Sequence, residues 1–349
     1  MSREQKARRT KLEVLYNGAN ISVAIERHLT NFTYTDNASG KADDLSITLE
    51  DRERRWMGPW FPEKGSLLQA TIITVNWGGE GETESLPCGE FEIDEIEVNG
   101  PPSQVTIKAV STFVTKPMRQ QQKTQAWEKI RLSGIAGEIA NRNGLTLLWD
   151  SRLDPPYERR DQVEQSDLQF LQGLCDDYGI ALKVVDGKLA CYNEADYEAK
   201  APVDTIRFGE PRLISYRFRH KCRDIYRGAK MQYHDSMKDE VFEVYIKGGA
   251  EGPGSDLVIN QKADNAGDAR IQAQKKLRDA NKRETTASLI LMGDIRKAAG
   301  NNLTIAGFGE FDGKWFTEKV THSVSPSGGF KTALEMRTAG SSGDAEGGG

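Results

Sequence analysis

Apolar and polar residues alternate along Lys11–Tyr16 and again from Asn20 to Thr35, and the two runs meet at Asn17-Gly18. A period of two sends successive side chains to opposite faces of a strand, and Asn-Gly is a favoured two-residue hairpin turn. The segments LSITLED, LLQATIITVNW, GEFEIDEIEVNG and QVTIKAVST continue the alternation, with turn signals at Asn37–Gly40, Gly78–Gly81 and Asn99–Pro102. Short strands spaced this way predict a barrel or a sandwich, and a barrel over residues 11–115 is the expectation carried forward.

From about residue 116 the period becomes helical. Leu132, Ile135, Ala136, Ile139 and Ala140 share one helix face, and Asn143-Gly144 ends it. A short strand, Leu145–Trp149, and a Pro155-Pro156 loop follow. The most fully specified stretch is Glu164–Leu189. Ser166 is placed to cap a helix with Gln169 three residues on, the pattern of a capping box. Phe170, Leu171, Leu174, Cys175 and Tyr178 form the apolar face, and Gly179 supplies the left-handed residue that stops the helix. Ile180, Leu182 and Val184 alternate as a strand into an Asp186-Gly187 hairpin turn. Residues 116–200 are thus predicted to be a small α+β domain.

The strand pattern returns beyond residue 201 in RLISYRF, DIYRGAKMQYHD and EVFEVYIKGG, and later in TASLILMG, NNLTIAGFG, KWFTEKVTHSV and FKTALEMRT. Between the two sets, Ala266, Ala269, Ala273, Leu277 and Ala280 make a narrow apolar stripe on a charged helix, suited to close approach by a sheet or a neighbouring molecule. A second barrel with one long helix is expected over residues 201–339. Residues 1–10 read as a flexible basic arm with no apolar segment behind it, unlike a secretory signal. Residues 340–349 read as a disordered Gly-rich tail, which leaves no length for a spike domain in the same chain. The two β regions share length and turn density, but no sequence repeat relates them.

Composition narrows the chemistry. The 349 residues carry a net charge of -5, and 28% are charged. No apolar run approaches a membrane-spanning helix, and no basic face is visible for nucleic acid, since Arg52, Arg54 and Arg55 are interleaved with Glu50, Asp51 and Glu53. Cys88, Cys175, Cys191 and Cys222 fit reduced thiols rather than a disulfide framework or a zinc site. His28, His220, His234 and His322 lack metal-ligand spacing and read as isolated surface or strand histidines. Gly307, Gly309 and Gly313 do not open a helix as a dinucleotide site requires, and Ser39-Gly40-Lys41 lacks the residues of a phosphate loop. Glu90, Glu92, Asp94 and Glu95 alternate with Phe91, Ile93 and Ile96, a row better suited to a polar outer or lumenal face than to a glycosidase pair. No catalytic, metal or cofactor residue is predicted.

Three segments in this order carry a family resemblance. They are Leu132-x-x-Ile135-Ala136-x-x-Ile139-Ala140 closing on Asn143-Gly144-Leu145; Gln165-Ser166-Asp167-x-x-Phe170-Leu171-x-x-Leu174 with Tyr178-Gly179 and Gly187-Lys188-Leu189; and the Ala273/Leu277 helix through Gly300-Asn301-Asn302-Leu303, Gly309, Gly313, Trp315 and Val320-Thr321-His322. Together they resemble the phage tail baseplate hub proteins of the late control gene D family, over most of residues 11–338. The resemblance implies two tail-tube-like barrels flanking the small domain. It also implies a homotrimer whose six barrels match a sixfold tail tube to a threefold central spike, with other baseplate proteins and the tape measure protein as further candidate partners. A spike protein separate from this chain is implied, and no enzymatic role. The particle would be a phage, a bacteriocin-like tail or a related injection or secretion device, assembled in the bacterial cytoplasm. Candidate interface residues are Trp56, Trp60 and Phe61, which could equally pack on their own barrel, and Ala266, Ala269, Ala273 and Leu277. Glu90, Glu92 and Asp94 are candidates to face a lumen. A tail-associated cell-wall hydrolase is the rival reading.

Overall fold

The computed structural model describes residues 7–112, 116–185, 187–223, 225–235, 240–248, 255–260 and 266–340. Most of the expected N-terminal arm, Asp186 of the expected hairpin turn and the tail beyond Gly340 lie outside the described residues.

Strands β1 (Arg9–Tyr16) and β2 (Ala19–Asn20) turn at Asn17-Gly18, where φ is 47° and 82°. Two successive positive φ values are what a type I′ turn demands. The next stretch, predicted as strand, opens with a short helix, α1 (Ser22–Glu26), because the Asn20 side chain accepts both the Ser22 amide and its hydroxyl and bends the chain. Strands β3 (Leu29–Asn37), β4 (Asp44–Glu50), β5 (Leu67–Val75), β6 (Thr83–Asn99) and β7 (Gln104–Ser111) complete the first unit. Its neighbour order is β2-β1-β5-β6-β7-β4-β3, antiparallel throughout. The inward set of each strand, such as Leu45, Ile47 and Leu49 of β4, is buried with Val14, Phe32, Leu68, Ile72, Phe91 and Ile107.

The small domain follows as α2 (Lys116–Gln120), β8 (Gln122–Arg131), α3 (Leu132–Arg142), β9 (Thr146–Asp150), β10 (Pro156–Ser166), α4 (Asp167–Asp177), β11 (Ile180–Val185), β12 (Lys188–Asn193) and α5 (Glu194–Ala199). Ser166 Oγ accepts the Gln169 amide at 3.2 Å, and Gly179 has φ 67°. Asp167 is fully buried, where desolvation alone would raise its carboxyl pKa. Hydrogen bonds from Lys123, Gln162, Asn143 and Arg142 instead hold it below the ordinary value.

Strands β13 (Asp204–Arg207) and β14 (Leu213–His220) begin the second unit. The chain then leaves it for β15 (Gly228–Asp235), β16 (Glu240–Lys247), β17 (Asp256–Ile259) and α6 (Ala266–Asn281). It returns with β18 (Thr285–Met292), β19 (Asn302–Ala306), β20 (Gly313–Ser325) and β21 (Gly329–Thr338). The sequence pattern counts β15 and β16 as barrel strands, but they form a separate sheet, ordered β16-β15-β17. The α6 stripe explains the departure: Ala269, Ala273 and Leu277 are buried against Ala229, Met231, Ile246 and Ile259 of that sheet.

The two barrels share one strand order, β1-β5-β6-β7-β4-β3 in the first and β13-β19-β20-β21-β18-β14 in the second. They also share two of their bulges, while a third, at Cys88 of β6 opposite β5, has no counterpart in the regular pairing of β19 with β20. At the first shared bulge the extra residue is Thr30 in β3, opposite β4, and Ile214 in β14, opposite β18. In the long strand it is Asp94 in one and Glu318 in the other. The pair β13/β19 is parallel, whereas its counterpart β1/β5 is antiparallel. The barrels are not separate sheets either. Residues 319–324 of β20 pair antiparallel with 32–37 of β3, which merges both into one thirteen-stranded sheet.

A buried ion cluster beside this joint ties the second unit to α5 and α6. Arg337 on β21 is 1% exposed and reaches Glu318 at 3.2 Å, Glu194 at 3.2 Å and Glu198. Arg278 of α6 and Lys282, just past its end, bind the same Glu198 and Glu194. Removing one partner of a buried pair leaves an uncompensated charge, so Arg337→Ala is expected to lower stability by about 3–5 kcal/mol in urea denaturation. Arg283→Ala, which removes the solvent-exposed partner of the same Glu318, is expected to cost about 0–1 kcal/mol. Equal effects of the two substitutions would show that burial does not set the cluster's contribution.

Candidate assembly surfaces

The loop after β4 is shaped by Asp51, a buried carboxylate that accepts the amides of Trp56 at 3.1 Å and Met57 at 3.2 Å. This bends the chain back so that Trp56 is buried in the first barrel core. Trp60 meets it edge-on at 5.6 Å and carries the Arg55 guanidinium 5.0 Å above its ring. Trp60 and Phe61 remain exposed at the mouth of a cavity of about 380 Å³ lined by Tyr16, Ile25, Ile47, Leu49 and Leu68. The three aromatics therefore divide: Trp56 belongs to its own barrel, and Trp60 and Phe61 present an apolar rim. Trp56→Ala is expected to cost about 3–5 kcal/mol by denaturation, and Phe61→Ser to stay within about 0.5 kcal/mol. A large loss for Phe61→Ser would place it in the core instead.

The other sequence candidates fall elsewhere. On α6, Ala266 is exposed, but Ala269, Ala273 and Leu277 are covered by the chain's own sheet. The stripe is therefore taken up within the chain and is not open to a neighbouring subunit. Glu90 and Glu92 lie on the outward face of β6, opposite the buried Phe91 and Ile93. Glu90 accepts from Gln69 at 2.8 Å and Thr112 at 3.1 Å. Asp94 is the exposed bulge residue, and beyond it Glu95 and Glu97 share Lys108 at 3.0 and 3.4 Å.

One cluster escaped the sequence reading. Phe208, Tyr216 and Phe218 gather around Phe308 with ring centroids 5.0–5.4 Å from it, and Phe208 and Tyr216 are exposed. The alternation of Tyr216 and Phe218 with Arg217 and Arg219 announces an ordinary strand. Only the sheet order shows that β14 is an edge.

At the joint between barrels, His322 is a strand histidine of β20, one of the two alternatives its sequence reading gave, and it is buried rather than at the surface. Its Nε2 lies 3.2 Å from the Lys297 carbonyl and must donate, so Nδ1 accepts from the Thr332 hydroxyl at 3.1 Å. Burial lowers its pKa below the ordinary imidazole value. Nearby, Lys183 of β11 donates to Asp36 at 2.6 Å and lies 3.5 Å from Asp43. Burial pushes the Asp43 carboxyl up to about 6, opposed by the Lys183 charge and assisted by that of Asp36.

These two groups give opposite pH dependences. Asp43 binds its proton more tightly when folded, so its contribution is fully present below about pH 4 and is lost as pH rises through about 6. The His322 contribution is present above the unfolded imidazole pKa and is lost as pH falls through the lowered folded value. Asp43→Asn is therefore expected to gain stability relative to the parent as pH rises from about 4 to 7, by up to about 2–3 kcal/mol. Urea titrations at several pH values check this, and a difference that does not change with pH would exclude the assignment.

Among the described residues, no group of three or more His, Cys, Asp or Glu is placed to hold a metal, and no helix is long and apolar enough to cross a membrane. No family model matches the chain. Over 174 residues, half of its length, it is 31% identical to the probable baseplate hub protein of Escherichia phage 186. Over 178 residues it is 30% identical to that of Escherichia phage P2. The chain covers 42% and 43% of those relatives. In structure it is similar to the 43 kDa tail protein of prophage MuSo2 from Shewanella oneidensis, with a TM-score of 0.73, 13% identity and coverage of 95% of this chain and 99% of that one. The tail protein from Neisseria meningitidis MC58 gives a TM-score of 0.70, 13% identity and coverage of 94% and 96%. The fold is that of phage tail proteins. The resemblance to baseplate hubs seen in the segment order thus has a counterpart in measured identity, and the mainly β architecture with its α+β domain has one in the tail-protein structures.

Proposed function

We propose that the chain is the structural hub of a contractile tail or tail-like particle, acting as a homotrimer that joins a sixfold tail tube to a threefold central spike. The observation that carries this reading is the pair of barrels with one strand order and two matching bulges, merged through β3 and β20. Three copies supply six such units around one axis, which lets one protein meet sixfold symmetry on one face and threefold symmetry on the other. A heterologous contact that closes after three copies meets this requirement. Identity to named hub proteins supports the reading from sequence.

In this role the chain works by shape and rigidity rather than by stabilising a transition state. Its partners would be the tube and spike proteins, other baseplate proteins and the tape measure protein, within a baseplate assembled in the host bacterial cytoplasm. The exposed rim of Trp60 and Phe61 is a candidate contact with a stacked neighbour. Glu90 and Glu92 are candidates to line the channel, where negative charge keeps nucleic acid from adhering. Asp94 is set apart from them by the bulge.

A reconstruction of the assembled particle tests the reading. Three copies are expected around the tail axis between tube and spike, with Glu90 and Glu92 toward the channel; six copies or a peripheral position would overturn it. Purified chain incubated with peptidoglycan is expected to release no soluble fragments, and release would favour the hydrolase reading.

A further inference from the structure

The shared strand order allows one barrel to be used as a template for the other. Matching bulge to bulge makes residues 29–37 of β3 equivalent to 213–221, and residues 317–323 of β20 equivalent to 93–99 of β6. The match extends to backbone detail. The Thr317 amide donates to the Asn301 carbonyl at 2.9 Å, and its counterpart, the Ile93 amide, donates to Ser66 at 3.0 Å. Gly300 and Gly65, one residue earlier in each, have φ of 85° and 81°.

Within the chain, the edge of β3 is joined to β20. The two equivalent edges, β14 and the 94–99 end of β6, have no strand beside them among the described residues. Their side chains show the vacancy. Phe32 and His322, inside the formed joint, are 0% and 1% exposed, whereas their counterparts Tyr216 and Val98 are 49% and 41% exposed. An open edge with apolar residues along it invites pairing.

We propose that β14 of one copy pairs antiparallel with residues 95–99 of β6 in the next copy, repeating between chains the joint that β3 and β20 make within one. This rests on the ring-forming hub reading and names the seam that such a ring would use. The template register fixes the partners. Asn37↔Lys319, Thr35↔Thr321 and Tyr34↔His322 translate to Lys221↔Glu95, Arg219↔Glu97 and Phe218↔Val98. Two pairs are of opposite charge and the third is apolar, a complementarity that the template's neutral Thr–Thr pair does not have. Because the two edges differ, each copy offers one of each, and association runs head to tail.

Directly opposed residues of an antiparallel pair lie at Cα separations that a disulfide spans. The full chain carrying Glu97→Cys, Arg219→Cys and Cys222→Ser, incorporated into tail particles and mildly oxidised, is expected to give covalent species of two and three chains and none larger. A ladder continuing past three chains would keep the seam and overturn the threefold reading. Particles that hold three copies on the axis yet give no covalent species would overturn the seam and leave the hub reading standing. Charge reversal gives an independent measure. Glu97→Arg alone and Arg219→Glu alone are each expected to reduce hub incorporation roughly tenfold, and the two together to restore it. A double variant no better than the singles would refute the pairing.

Discussion

A central β-strand must satisfy the amides and carbonyls along both of its edges, and β20 meets this demand with two different neighbours in succession. Its first residues pair with β19, which is only five residues long. Past Glu318 the same edge is taken by β3 from the other barrel. A buried backbone edge left open there would cost the desolvation of each unpaired group. The bulge at Glu318 is where the change occurs: the extra residue bends the strand and re-aims it from one barrel toward the other.

Much of the remaining architecture follows from this exchange. The handover draws the Glu318 carboxylate inward, and the buried guanidinium of Arg337 answers it. Arg337 also takes Glu194 and Glu198 of α5, to which Arg278 of α6 and Lys282 just past it are bound. The small domain and the β15–α6 unit are thereby tied to the joint through charge. On the other side of the joint, Asp36 accepts Lys183 from β11 and the Ala299 amide, and the Tyr192 hydroxyl donates to the Ala38 carbonyl. Charge pairs of this kind hold a geometry more sharply than apolar contact, because they fail when partners separate or rotate.

Elements governed by short-range rules were legible in the sequence. The Ser166 cap, the Gly179 stop, the Asn17-Gly18 turn and the α3 face each depend on neighbours within a few residues. The barrel strands were legible for the same reason, since alternation is local. Strand membership was not: β15 and β16 alternate as well as β14 does, and only the need of the α6 stripe for a sheet separates them from the barrel. His322 looked like an isolated histidine because its partners, Lys297 and Thr332, come from other segments of the chain. Among the candidate surfaces, Trp56 and Trp60 were found as a pair but could not be divided into core and rim, since Asp51 decides that through a turn with no strong signature.

The sequence by itself determined many of the barrel strands, α3, α4 and the β11–β12 hairpin, because hydrophobic period, caps and turns are properties of adjacent residues. It did not show α1, α2, α5 or the paired strands β8 and β10, the last of which begins where a Pro155-Pro156 loop was expected. It also held the three segments whose order pointed to hub proteins. Tertiary structure alone decided that the two β regions repeat one strand order, that they merge through β20, and which two edges remain open. Strand order is a matter of which distant backbones share hydrogen bonds. Those bonds are made by peptide groups common to nearly every residue, so different side chains can specify the same order and leave no repeat in the sequence to read.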